Sequence, residues 1–191
     1  MVKRVVITGY KQHELGIFND QHPGIPIIQK ALKNQLITLL EQGLEWVIVS
    51  GQLGVEYWAI EVVWALQTEY PHLQYAVMTP FIDPHQNWND QNKEKFNTMV
   101  GRANYTVSLT SKPYEAPWQF TEKDRFFIRN SDGIILLYDP ENEGSPKFIK
   151  QLVDKYREDN PYALYTITAD DLNMLAEEER LNDWAQEGYD Y

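Results

Sequence analysis

The chain has 191 residues and no cysteine. That removes disulfides, thiolate zinc sites and a cysteine nucleophile at once, and it fits a reducing cytoplasm, the expected location. Histidine is scarce: His13, His22, His72 and His85 are the four, none pairs with another at ligand spacing, and no HExxH occurs. No metal site is therefore expected. No Ser/His/Asp arrangement stands out either. Apolar runs stay short of the roughly 18 residues a membrane span needs, and the start "MVKRVVITGY" has no long apolar h-region, so neither a span nor a signal peptide is expected. Basic charge is also in short supply, with 17 Lys and Arg against 28 Asp and Glu, for a net charge of −11. Binding by counterion release needs clustered Lys and Arg, which counts against nucleic acid as the main partner.

The charge is unevenly placed. From Ala169 onward there are eight acids (Asp170, Asp171, Glu177, Glu178, Glu179, Asp183, Glu187 and Asp190) against Arg180 alone, so the body carries only −4. Residues 172–191 read as an acidic tail, either a solvated face or a docking element. Aromatics are plentiful, 13% with six Trp and twelve Tyr, and such residues fill cores or line pockets and interfaces. A protein–protein adaptor or a homo-oligomer would use them in the second way.

Along the chain, short β-branched runs alternate with helical patterns. "KRVVITG" (3–9), "EWVIVS" (45–50), "LQYAVMT" (73–79), "NYTVSLT" (104–110), "GIILLYD" (133–139) and "YALYTIT" (162–168) read as strands. Helices are predicted over 26–42, from Val55 to Pro71, near 90–100, over 115–130, over 145–158 and in "ADDLNMLAEEE". Continuous apolar strands between amphipathic helices predict a mostly parallel sheet with helices on both faces. With no linker, repeat or low-complexity segment, residues 1–171 form a single three-layer α/β domain. "FIDPHQNWNDQNKE" (81–94) is the longest irregular loop and a candidate flap.

Ligands of open α/β sheets gather at the carboxyl ends of the strands. After the first strand stand Thr8, Gly9, Tyr10 and Lys11; after the second, Ser50, Gly51, Gln52 and Gly54, then Glu56; after the fifth, Asp139, then Gly144, Ser145, Pro146 and Lys147. Ser145 suits an N-cap and Pro146 the first helical position, which would aim free N–H groups into the crevice. Two small-residue loops, 50–54 and 144–147, could then offer donors to one anion. "SGQLG" is neither a Walker loop nor G-x-G-x-x-G, and a tight turn explains its glycines equally well. Glu56 reads as a ribose ligand, as an acid for N-glycosidic cleavage, or as a carboxylate favoured by the helix dipole. Arg125 and Arg129 share a helix face and could clamp a phosphate, or form surface ion pairs with Glu122 or Asp132. Trp118 and Tyr114 could stack a base or simply pack.

"VVITGYKQHELGIF", "GLEWVIVSGQLGVEYWA", "SLTSKPYEAPWQF" and "FFIRNSDGIILLYDPENEGSPK" together resemble the YpsA family of Gram-positive bacteria, over residues 3 to 172. The resemblance implies a Rossmann-like domain of the superfamily that includes DprA and the LOG phosphoribohydrolases. It implies binding of a nucleotide-derived ligand of the NAD or ADP-ribose type, and a non-catalytic sensing or regulatory role linked to bacterial cell division, with a protein partner there. On this chain the family's presumed pocket motif falls on Gly51, Gln52, Gly54 and Glu56, and its phosphate-facing loop on Gly144, Ser145 and Lys147. LOG enzymes carry Gly-Gly-x-Gly-Thr-x-x-Glu, whereas this loop reads "DPENEGSPKFIK" and lacks that Glu. A nucleotide N-glycosidase using Glu56 is the alternative expectation.

Overall fold

Val5, Val6 and Ile7 are fully buried in the centre of the sheet, which is why the first strand shows no apolar/polar alternation. In the computed structural model, which describes residues 1–187, β1 (Arg4–Gly9) is followed by a short 3-10 turn, Gln12–Leu15, and by α1 (Gly24–Glu41). Then come β2 (Trp46–Val49), α2 (Val55–Leu66), β3 (Gln74–Thr79), α3 (Asp90–Gly101) and β4 (Tyr105–Ser108). The chain continues through α4 (Trp118–Arg129), β5 (Gly133–Leu137), α5 (Pro146–Asp159), β6 (Ala163–Ile167) and α6 (Ala169–Glu187). The end of the acidic tail, residues 188–191 with Asp190, and the side chain of Glu187 lie outside the described residues. The boundary expected at residue 172 falls inside α6, which packs back on α1 and ties Lys30 to Glu179.

All six strands pair in parallel, in the order β4-β3-β2-β1-β5-β6. Val5 lies opposite Val47 on one side and Gly133 on the other. The chain walks outward from β1 to β4 and then returns to place β5 on the free side of β1. That reversal opens a crevice beyond the carboxyl ends of β1, β2 and β5.

A constant crossover hand sends the helices of the outward walk to one face and those of the return to the other. α1 packs on α2 and α6, and α2 and α3 are joined through the Tyr75 hydroxyl, which accepts from Trp64 Nε1 (3.1 Å) and donates to the Met99 carbonyl (2.6 Å). α4 and α5 pack together on the opposite face. Strand alternation turns Ala76 and Met78 to that opposite face. There an apolar groove of about 530 Å³ is lined by Ile48, Ala76, Met78, Tyr105 and Val107 of the sheet and by Phe126 of α4, among others. Helices cover both faces, but unevenly.

The last five residues of the expected flap, 90–94, belong to α3. Asn89 caps α3 by accepting from the Asn92 N–H at 2.9 Å, so the irregular part ends at residue 89. His85 stacks on Phe96 with centroids 4.0 Å apart, and the Ile82 N–H donates to the Lys112 carbonyl at 2.9 Å, so the segment is held at both ends.

Candidate functional site

The loop after β2 needs two glycines for different reasons. Gly51 has φ +95°, and a Cβ there would come within 2.9 Å of the Phe96 ring. Gly54 has φ +113° and pairs with Lys11 as an isolated antiparallel bridge; a Cβ there would lie 2.6 Å from both the Tyr10 carbonyl oxygen and the Gln12 nitrogen. The loop after β2 is thus pressed onto the loop after β1, and the Val55 N–H donates to the Tyr10 carbonyl at 3.1 Å. Only residues free to adopt positive φ fit this approach.

That contact brings Glu56 under the strand ends, where it is buried at 2% exposure. Oε1 accepts from the Ser50 N–H (2.6 Å) and the Ser50 hydroxyl (3.0 Å); Oε2 accepts from the Ser50 hydroxyl (2.9 Å) and the Thr8 hydroxyl (3.0 Å). Burial pushes its proton affinity above the ordinary carboxylate range, against the opposing pull of Lys123 and of the Ser50 and Thr8 hydrogen bonds. Glu56 lines neither of the cavities above it.

Those cavities measure about 300 and 330 Å³. The first lies between the strand ends and the starts of α4 and α5, with Thr8, Gly9, Ser145, Lys123, Asp124 and Phe148 on its walls. The second lies under the 81–89 segment, against Ser50, Gly51, Pro80, Phe81, Pro84 and Trp88. Lys11, Gln52 and Phe120 line both and mark the junction. Lys123 and Asp124 are buried and paired at 2.8 Å, so the first cavity holds an internal ion pair close to Glu56.

The loop after β5 is built by residues that turn inward to the protein. The Tyr10 hydroxyl accepts from the Asp139 N–H (2.8 Å) and donates to the Asn142 carbonyl (2.5 Å), and Gly144 packs on its ring. Asp139 accepts from the N–H groups of Glu141 (2.8 Å) and Ala169 (3.2 Å), holding the loop and the start of α6. The start of α5 already faces a carboxylate: Glu14 accepts from the Ser145 N–H and the Ser145 hydroxyl, both at 2.9 Å, and from the Lys11 N–H at 2.7 Å. Burial raises the proton affinity of Glu14, but the Ser145 and Lys11 hydrogen bonds outweigh it and leave the group below the ordinary range. Lys147 reaches Glu143 at 3.3 Å and lines neither cavity.

Of the residues singled out in the sequence, the structure thus gathers Thr8, Gly9, Ser50, Gly51, Gln52 and Ser145 around the crevice, with Glu56 beneath. Arg125 and Arg129 do share a face, but they line a separate cavity of about 320 Å³ between α4 and α5, and Arg125 pairs with Glu122 at 2.8 Å. Trp118 is about half exposed, and Tyr114 packs on Phe81 and Phe120. Sequence reasoning passed over Glu14, Phe120, Lys123, Asp124 and Phe148. The signal for two of them was legible: Gln119, Lys123, Asp124, Phe127 and Ile128 form the buried stripe of α4, and polar residues on such a stripe mark a lined cavity. Gln119 is spoken for: its side chain accepts from the Glu115 N–H (2.7 Å) and donates to the Pro113 carbonyl (3.1 Å), fixing the loop before α4.

Comparison with known proteins follows the same architecture. DNA processing protein A from Helicobacter pylori, solved for its single-stranded DNA binding mode, superposes with a TM-score of 0.55 at 18% identity, over 85% of this chain and 64% of that one. At that identity the likeness is one of fold. In sequence, a UPF0398 protein from Lysinibacillus sphaericus is 61% identical over 94% of this chain and 100% of its own length. UPF0398 protein YpsA from Bacillus subtilis is 51% identical over 93% and 99%. The model of the YpsA family, described as "YspA SLOG family", matches residues 5–172. Sequence therefore assigns the chain, which belongs to the YpsA family of SLOG proteins.

Proposed function

We propose that this chain binds a nucleotide-derived ligand, of the NAD or ADP-ribose type, and works as a sensor or regulator rather than as a catalyst. The observation that carries the reading is the pair of adjoining cavities at the strand-order reversal, each near the lower end of the ~300–1,000 Å³ that small-molecule sites occupy. Aromatic walls at Phe120, Phe148, Phe81 and Trp88 suit a base, and Lys11 at the junction suits a phosphate. A regulatory place in bacterial cell division, acting through a protein partner, belongs to the same proposal and rests on the family resemblance alone.

One observation favours a second reading, an N-glycosidase: burial raises the proton affinity of Glu56, as a general acid requires. Against it, the carboxylate is covered by Thr8 and Ser50 and lines neither cavity. A thermal-shift panel of NAD, ADP-ribose, ADP and AMP tests binding. A ligand present at 100 times its Kd adds about 2.7 kcal/mol to stability, so a clear rise in Tm is expected with at least one of them. Flat curves with all four at millimolar concentration would reject the proposal. Release of free base or ribose phosphate by stoichiometric protein would favour the enzyme.

A further inference from the structure

Thr8 and Ser50 each have one hydroxyl proton, and both protons point down to Glu56. A hydroxyl that has donated keeps only lone pairs for its other side. Thr8 lines the first cavity and Ser50 the second, so any hydrogen bond that these hydroxyls make to a ligand there is one they accept. Phosphate oxygens are acceptors too, and two acceptors facing each other without a proton repel. Asp124 adds a further acceptor to the first cavity, with its charge balanced by Lys123. The floor therefore discriminates by hydrogen-bond sense.

We propose that Glu56 is a positioning residue that fixes the Thr8 and Ser50 hydroxyls as acceptors, so that this floor takes the donor-rich, polyhydroxyl part of the ligand, a ribose-type sugar, and turns phosphate away toward Lys11. This rests on the nucleotide reading and deepens it: Glu56 selects the sugar through two neighbours without touching it. The outward carbonyl-like character of the floor depends on an ionised Glu56 accepting from both hydroxyls, so it holds above the raised proton affinity of the buried carboxyl and is lost below it, where a protonated Glu56 donates to one of them. In Glu56→Gln the carboxamide has one acceptor oxygen and one donor nitrogen. With the oxygen kept on the Ser50 N–H, the nitrogen donates to Thr8, whose own proton then turns into the cavity. The floor becomes a donor there, which suits phosphate.

The test is calorimetric titration of the full chain with two probes that share a diphosphate, ADP-ribose and inorganic pyrophosphate, with Tm checked for every variant. In the wild type ADP-ribose binds at least about tenfold tighter than pyrophosphate, the scale of one well-made hydrogen bond to a buried group. In Glu56→Gln ADP-ribose weakens while pyrophosphate holds or tightens. Thr8→Val, which deletes the acceptor and leaves Glu56 in place, weakens ADP-ribose alone, and Thr8→Ser restores it. A merely structural role would weaken both probes by one factor in Glu56→Gln and Thr8→Val. That result, or equal wild-type affinity for the two probes, overturns the sugar assignment and leaves nucleotide binding standing. Failure of the wild type to bind ADP-ribose at all overturns the nucleotide reading and this inference with it.

Discussion

Gly54 and Glu56 set the geometry of the crevice from opposite directions, one by having no side chain and the other by burying a charged one. Gly54→Ala places a Cβ 2.6 Å from two backbone atoms at φ +113°. It should cost at least about 3 kcal/mol, measured by urea denaturation. Gly51→Ala meets side chains alone, the edge of the Phe96 ring at 2.9 Å and Val77 Cγ1 at 3.3 Å. A ring can shift where a backbone cannot, so that variant should cost about 1–2 kcal/mol. Glu56 carries a pH signature. Its proton affinity is raised by folding, so the folded chain holds a proton that the unfolded chain has lost once pH passes the ordinary value of 4.5. The stability it contributes is complete below that value and is lost as pH rises through the folded value. Glu56→Gln has no such proton to lose. The stability difference between wild type and Glu56→Gln should therefore move in favour of the variant as pH rises from 4.5, and a flat difference would contradict the buried-carboxylate account.

At the level of elements, the 3-10 turn at Gln12–Leu15 acts as the staple of the site, because its Glu14 ties the exit of β1 to the start of α5. Glu14→Gln retains one acceptor oxygen for three donors and should cost about 1–2 kcal/mol. Its proton affinity is lowered by folding, so the sign is opposite to that of Glu56: its contribution is present above 4.5 and fades as pH falls through the folded value. The order of strands and helices was legible in the sequence because buried parallel strands and amphipathic helices leave continuous and 3.6-spaced apolar patterns. The ends agree to within two residues at all six strands. The staple was not legible, since four residues of 3-10 turn leave no period to read. Nor was the direction of the arginines: spacing places Arg125 and Arg129 together, but the Lys123–Phe127 stripe faces the core and turns them away from the crevice. The start of α5 looked free because a sequence cannot show that Glu14, 131 residues earlier, faces its N–H groups.

For the whole molecule, charge separates the candidate ligands. A chain of net charge −11, whose lysines lining the crevice among the described residues are Lys11 and Lys123 with the latter already paired, is expected to hold a nucleic-acid backbone weakly. A labelled oligothymidine should show no saturable anisotropy change at physiological salt under conditions where a mononucleotide binds. The acidic tail is expected to be separable from the domain over its last stretch. A chain ending at Arg180 keeps Leu172 and Leu175 against the core and the Lys30–Glu179 pair, and gives up the exposed Leu181 and Trp184. Its stability should stay within about 0.5 kcal/mol of the full chain, and its ligand affinity should be unchanged. The central claim is that the adjoining cavities hold a nucleotide-derived ligand, and native mass spectrometry of the freshly purified full chain, alone and then with added ADP-ribose, tests it most directly. The account predicts a one-to-one adduct of nucleotide mass that disappears in a Gln52→Trp variant blocking the junction. No adduct at millimolar ADP-ribose, or an adduct that survives the block, would contradict it.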